Sequence, residues 1–149
     1  MSSPNLIGPL TGFHDGKLES VSVADGTAVF GLVHVDGRRF TLNLSGVEAL
    51  SINDFREDNI ILELQVVAGS DFQAAGLTPG DVRATLEVLF LRPHAEAASE
   101  YHEAYDNLLQ RKLELLEKGA AKLVILDPAY GADLVAFCTS AELIDAPYA

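Results

Sequence analysis

Between residues 17 and 67 apolar and polar positions alternate, and the run is cut by Asp-Gly pairs at Asp15-Gly16, Asp25-Gly26 and Asp36-Gly37. A period of two sends successive side chains to opposite faces of a strand, and Asp-Gly suits tight turns because both residues tolerate positive φ. The pattern predicts an antiparallel meander with strands at residues 17–24, 27–35, 38–45, 47–53 and 59–67. In the third strand Phe40, Leu42 and Leu44 oppose Arg39, Thr41 and Asn43. In the fifth, Ile60, Leu62, Leu64 and Val66 oppose Glu63 and Gln65, so each of these strands should keep one wet face. The second, TAVFGLVHV, is apolar on both faces and is expected at the centre, covered on each side.

The period changes after residue 67. The stretch GSDFQAAGLTPGD reads as a connection that ends in a helix start: Thr78 can cap, Pro79 fits the first position and Asp81 sits near the free N–H groups. Val82, Leu86, Leu89 and Phe90 recur at helical spacing, although ATLEVLFL alone fits a strand equally well. Beyond Pro93 a longer helix is predicted from residue 94 to 118. Ala98, Tyr101, Tyr105, Leu108, Leu109, Leu113 and Leu116 lie on its stripe, and Gly119 lies past its last turn. The segment KLVILDPAYGADLVAFCTS holds two apolar runs around Pro128, Tyr130 and Gly131, spaced as a wide hairpin. Strands, then helices, then strands without βα alternation predict one α+β domain over residues 1–149. Its sheet should be mostly antiparallel, an N-terminal meander plus a C-terminal hairpin, with one long and one shorter helix packed on a face.

Composition adds limits. With 149 residues and 48% apolar content the chain can close one core. Its 22 acidic against 10 basic residues give a net charge of −12, which repels phosphate backbones and anionic headgroups, so neither nucleic acid nor membrane is an expected partner. The opening MSSPNLIGPLTG lacks a basic n-region and an apolar h-region, and no apolar run approaches the roughly 18 residues of a spanning helix. A cytoplasmic protein is expected. Cys138 is the single cysteine and lies in the apolar run LVAFC, which reads as a buried thiol rather than a nucleophile.

Candidate chemistry is sparse. His14 stands beside Asp15, but if both are extended they point to opposite faces and neither orients the other. His102, Glu103 and Asp106 read H-E-x-x-D, which lacks the second histidine of a zinc-peptidase helix. His94 lies two turns before His102, about 12 Å away along a helix axis, too far to share an ion. No metal and no cofactor is expected. Neither a G-x-S-x-G elbow nor a phosphate-cradling glycine loop occurs.

Two resemblances are present. AAGLTPGDV, residues 74–82, resembles a short turn signature of PDZ domains over about nine residues, while the rest of the chain departs from that family and helix capping explains the same residues. FHDGKL, GVEAL and DPAYGADLVAF together resemble small bacterial α+β proteins of unknown function, some of which resemble immunity proteins of polymorphic toxin systems. That resemblance implies a non-catalytic binding protein. The leading expectation is therefore a non-enzymatic, acidic interaction domain, immunity-like, that binds a basic protein. Its binding residues would be Asp54, Glu57 and Asp58 in one loop and Glu96, Glu100, Glu103 and Asp106 on the long helix. One alternative is a small-ligand binder or small enzyme whose pocket includes His14, Tyr130 or Asp133. Another is a structural subunit forming a homo-oligomer through a sheet edge or the Tyr101/Tyr105 stripe.

Overall fold

The computed structural model describes residues 2–3, 8–69 and 71–145, with side chains from residue 8 onward. Among these residues the strands are β1 (Ser2–Ser3), β2 (Gly8–Pro9), β3 (Lys17–Ala24), β4 (Thr27–Val33), β5 (Arg39–Ser45), β6 (Ala49–Asn53) and β7 (Asn59–Val67). Helices α1 (Asp71–Ala74), α2 (Pro79–Leu89) and α3 (Ser99–Glu117) follow, and β8 (Lys122–Tyr130), β9 (Asp133–Cys138) and β10 (Ser140–Ile144) come last. The fold is α+β, with a mostly antiparallel sheet and two helices packed on it, as the alternation and spacing predict.

The strand order is β1-β10-β5-β4-β3-β7-β8-β9-β6, with β2 added beside β7. A third C-terminal strand, β10, extends the expected hairpin and gives the sheet its shape. Only Thr139 separates β9 from β10, and its N–H donates to Ser45 O at 2.9 Å. Since β9 pairs with β8 and β6 while β10 pairs with β5, one nearly continuous run of chain belongs to both ends of the strand order. The sheet therefore curls back on itself around one apolar core. Leu18, Phe30, Leu32, Leu42 and Leu44 meet Ile61, Leu64, Val66, Val124, Leu126 and Leu134 inside it. Burying a side chain of this size contributes about 1.5–3 kcal/mol.

The helices cover the outer face of the β7-β8-β9-β6 part. Val82 and Leu86 of α2 and Leu109 and Leu116 of α3 pack there with Val67, Leu123 and Phe137. β8 and β9 thus have both faces covered. β4 is central, between β3 and β5, and Ala28, Phe30 and Leu32 are fully buried, but Val29 and Val33 on its outer face are half-buried with no helix above them. The expected cover on both sides is corrected on that point.

Local chemistry explains the other differences. β7 does not alternate as predicted: Ile61 is fully buried while Leu62 is 48% exposed, because the register slips on either side of Ile61. Its partner there is Pro128, which has no N–H for the ladder. Asp25 and Gly26 both have positive φ, forming the two-residue hairpin turn. At Asp36-Gly37 only Gly37 is left-handed, and His34 N–H donates to Arg38 O at 2.8 Å, so β4 stops at Val33 rather than residue 35. Helix α2 starts with a full capping box, in which Thr78 Oγ accepts from Asp81 N at 3.1 Å and Asp81 Oδ2 accepts from Thr78 N at 2.9 Å. Helix α3 begins at Ser99, not 94, because His94 Nδ1 accepts from Glu96 N at 3.1 Å and holds a separate turn. It ends with Gly119 N–H donating to Leu116 O and Ala120 N–H to Leu115 O, a Schellman closure that the positive φ of Gly119 permits.

Candidate functional site

The stretch Phe13-His14-Asp15-Gly16 is a turn ahead of β3, closed by Gly16 N–H to Phe13 O at 2.8 Å. Its buried member is Phe13, 1% exposed, whose ring stands edge-on to His34 and Phe40. Asp15 takes φ 65°, so the pair is not extended, and His14 Nε2 lies 3.6 Å from Asp15 Oδ2 instead of facing away from it. His14 Nδ1 is 2.8 Å from Leu62 O. Both side chains are about two-thirds exposed, and neither lines either of the two clefts described below.

Tyr130 ends β8, 52% exposed, with the Arg56 guanidinium 5.6 Å from its ring centre. The turn after it is anchored by Asn59, which is 1% exposed. Asn59 Oδ1 accepts from Ala132 N at 3.0 Å and from Arg56 N at 2.8 Å, and its amide donates to Leu18 O and Arg56 O. Asp133 opens β9 opposite Asn53. The structure places it in a cleft without His14 or Tyr130.

That cleft, about 240 Å³, lies where α2 passes over the ends of β8, β9 and β6. Ser51, Asn53, Thr85, Asp127 and Asp133 supply its polar atoms, and Val88 its rim. Asp127 and Asp133 follow the last β8–β9 pair, Leu126–Leu134, and both line this cleft, while Glu63 is Asp127's partner across β7. Three carboxylates thus stand in a cross-strand row where like charges are unfavourable. Burial first, then Asp133 and Glu63, push the Asp127 carboxyl above its ordinary pKa. No ion pair satisfies any of the three among the described residues. Asp127 was not singled out from the sequence, yet the signal is there: in DPAYGAD the two acids are symmetric about the turn, so hairpin pairing sets them side by side.

The expected acidic residues lie in the β6–β7 loop and on α3, except Glu96, which stands ahead of the helix because α3 starts only at Ser99. In the β6–β7 loop Asp58 pairs with Lys17 at 3.7 Å, and Asp54 takes a left-handed conformation. On α3, Asp106 meets Arg83 at 3.3 Å, and Arg83 and Arg92 share Glu87. Glu96, Glu100 and Glu103 have no ion-pair partner among the described residues and are exposed. The predicted apolar stripe begins late, since Tyr105 is buried beneath the α2–α3 connection and donates to Phe90 O, whereas Tyr101, one turn earlier, is 61% exposed. Leu91 is 84% and Val88 52% exposed. Large apolar side chains and unpaired carboxylates therefore share the end of the molecule where α2 stops and α3 starts.

Cys138 is fully buried, and burial pushes its thiol up to about 11 despite Lys122 nearby, so it is no nucleophile at neutral pH. Among the described residues no three His, Cys, Asp or Glu side chains gather so as to hold a metal ion, and no helix is long and apolar enough to cross a membrane. Comparison with protein-family models, with curated proteins and with solved structures gives no match to the chain.

Proposed function

We propose that the chain is a non-enzymatic interaction domain that docks a basic protein where α2 ends and α3 begins. The observation that carries this reading is the exposure of Val88, Leu91 and Tyr101 between unpaired acids, Glu96, Glu100 and Glu103 on one flank and Asp127 and Asp133 on the other. A desolvated apolar centre with a polar rim is the usual anatomy of a protein interface, and Tyr is favoured within it. Glu96, ahead of α3, and Glu100 and Glu103 in its first turns are exposed acids with no ion-pair partner among the described residues. The charge of −12 would attract a basic partner, and the unpaired acids here would orient it. This is also the non-catalytic binding role implied by the resemblance to immunity-like proteins.

The test is affinity purification from the source organism, followed by association kinetics with the retained protein. The partner should be basic. Its association should slow steeply with salt, because the Debye length falls from about 10 Å at 0.1 M to 3 Å at 1 M. Glu100→Lys with Glu103→Lys should slow association about tenfold while leaving the melting temperature near wild type, and Leu91→Ala should speed dissociation. Association that ignores salt and both sets of variants rules the reading out.

A further inference from the structure

The larger cavity lies at the other end of the helix pair, away from Leu91 and Tyr101. Its volume is about 620 Å³, within the roughly 300–1,000 Å³ of small-molecule sites. Its apolar lining comes from Phe72, Leu77, Pro79, Val82 and Leu113. The space exists because the chain arches over it. Gly69, at φ 59°, donates to Leu116 O at 2.7 Å and passes close to the end of α3, where an added Cβ would lie 3.4 Å from Glu117 O. From there residues 71–77 bond among themselves, Ala75 N–H to Asp71 O and Leu77 N–H to Phe72 O at 2.8 Å each, rather than filling the gap below. The arch is thus stapled open by its own backbone.

Among the residues that line this apolar space, the charged side chain is that of Glu117. A helix start normally favours an anion, but at α2 the Thr78 hydroxyl already accepts from Asp81 N and the Asp81 carboxylate, held below its ordinary pKa by the Thr78 N–H, already supplies a negative charge. The far wall is the carbonyl end of α3, the negative pole of the helix, where Glu117 lines the cleft without an ion pair among the described residues. Lys118, its sequence neighbour, does not line the cleft. Gln73 and Thr78 complete the polar rim.

We infer that this cleft is a binding site for a small amphipathic organic cation, whose apolar body packs on Phe72, Leu77, Val82 and Leu113 while its ammonium head faces Glu117. The site is independent of the protein-docking face. Octylammonium, octanol and octanoate, which share one alkyl chain, are the probes, titrated calorimetrically into the full chain. Octylammonium should bind saturably at one equivalent, octanol more weakly and octanoate least. Glu117→Gln should erase the preference for the ammonium over the alcohol, about fivefold, the upper range for a solvent-exposed ion pair. Gln73→Trp, at an exposed position that leaves the core intact, should fill the cleft and abolish binding of all three, as should Leu113→Trp. The inference is overturned if octylammonium does not saturate or if octanoate binds as well as it does. It is equally overturned if Gln73→Trp, with an unchanged melting temperature, binds octylammonium like wild type, since the cation would then be held elsewhere on the acidic surface.

Discussion

The molecule has two apolar clusters that differ in how they are closed. The one inside the curled sheet is walled mainly by strands, with Phe13 and Ala132 added from turns, and Leu18, Phe30, Leu32 and Leu42 within it have no solvent exposure. The one between the helices and the outer face of β6–β9 has fully buried residues at its centre, such as Leu116 and Leu123, but a frayed margin of Phe72, Leu77, Leu89 and Phe90. Both clefts and the row of carboxylates lie on that margin. A sheet that pairs with itself leaves few places where space or charge can persist. Three helices on loops of irregular shape leave several, so specificity for a ligand or partner is expected there while the strands supply most of the stability.

The largest effects should separate the two clusters. Phe30→Ala, at the centre of the strand-walled core, should cost about 3–5 kcal/mol by chemical denaturation. Leu91→Ala removes a side chain of the same class at 84% exposure and should stay within about 0.5 kcal/mol of wild type. Equal losses at the two positions would mean that Leu91 is covered in the folded chain and would break the contrast. Next comes Asn59→Ala. It strips partners from the N–H groups of Ala132 and Arg56 and from Leu18 O, tying together β3, the β6–β7 loop and the β8–β9 turn, and should cost about 2–3 kcal/mol. Gly131 is bound to the same anchor, because a Cβ there would lie 2.5 Å from Asn59 Oδ1.

How much of this was legible depended on whether the signal was local. Strands β3, β5 and β7 and the capping box of α2 follow from neighbouring residues, Thr78 and Asp81 three apart and Phe40, Leu42 and Leu44 two apart, so they were readable. The fold-back at Thr139 was not, since it depends on Ser45, nearly a hundred positions away, offering its carbonyl. The bulge at Ile61 likewise depends on Pro128. For the candidate site, the acidic segments were visible as composition, but the exposure of Leu91 and Tyr101 was not, because helical periodicity marks Tyr101 as core exactly as it marks Tyr105. The separation of Asp133 from His14 and Tyr130 required knowing which face of β9 the helices cover.

A smaller effect probes the start of α2, on the margin of the helix-side cluster. Thr78→Ala removes the oxygen that accepts from Asp81 N and should cost about 1 kcal/mol. Because the Thr78 N–H lowers the Asp81 pKa, the stability tied to that carboxylate is present above its unfolded pKa and is lost as pH falls through the folded one. Asp81→Asn should therefore lower the melting temperature at neutral pH and lose that effect in acid, as thermal scans across pH can show.

The smallest effect has the opposite sign and tests the carboxylate row most directly. Asp127 has its pKa raised by burial, with Asp133 and Glu63 adding to it, so the folded chain keeps that proton to a higher pH than the unfolded chain, whose Asp titrates near about 3.9. The stabilising contribution of the protonated form is complete below the unfolded pKa and disappears as pH rises through the folded one. At pH 7 the ionised group is then a liability. Asp127→Asn keeps the shape and removes the charge, so it should stabilise the protein at neutral pH by less than about 1 kcal/mol, a figure discounted because the side chain is only half-buried. For a domain of this length that is a rise of roughly 1–3 °C in melting temperature, shrinking to nothing near pH 3. If the row serves a basic partner, the same substitution should weaken association, coupling a gain in stability to a loss of binding. A variant less stable than wild type at pH 7 would mean instead that Asp127 has a favourable partner within the folded chain, and the row would no longer count as part of an unsatisfied acidic rim.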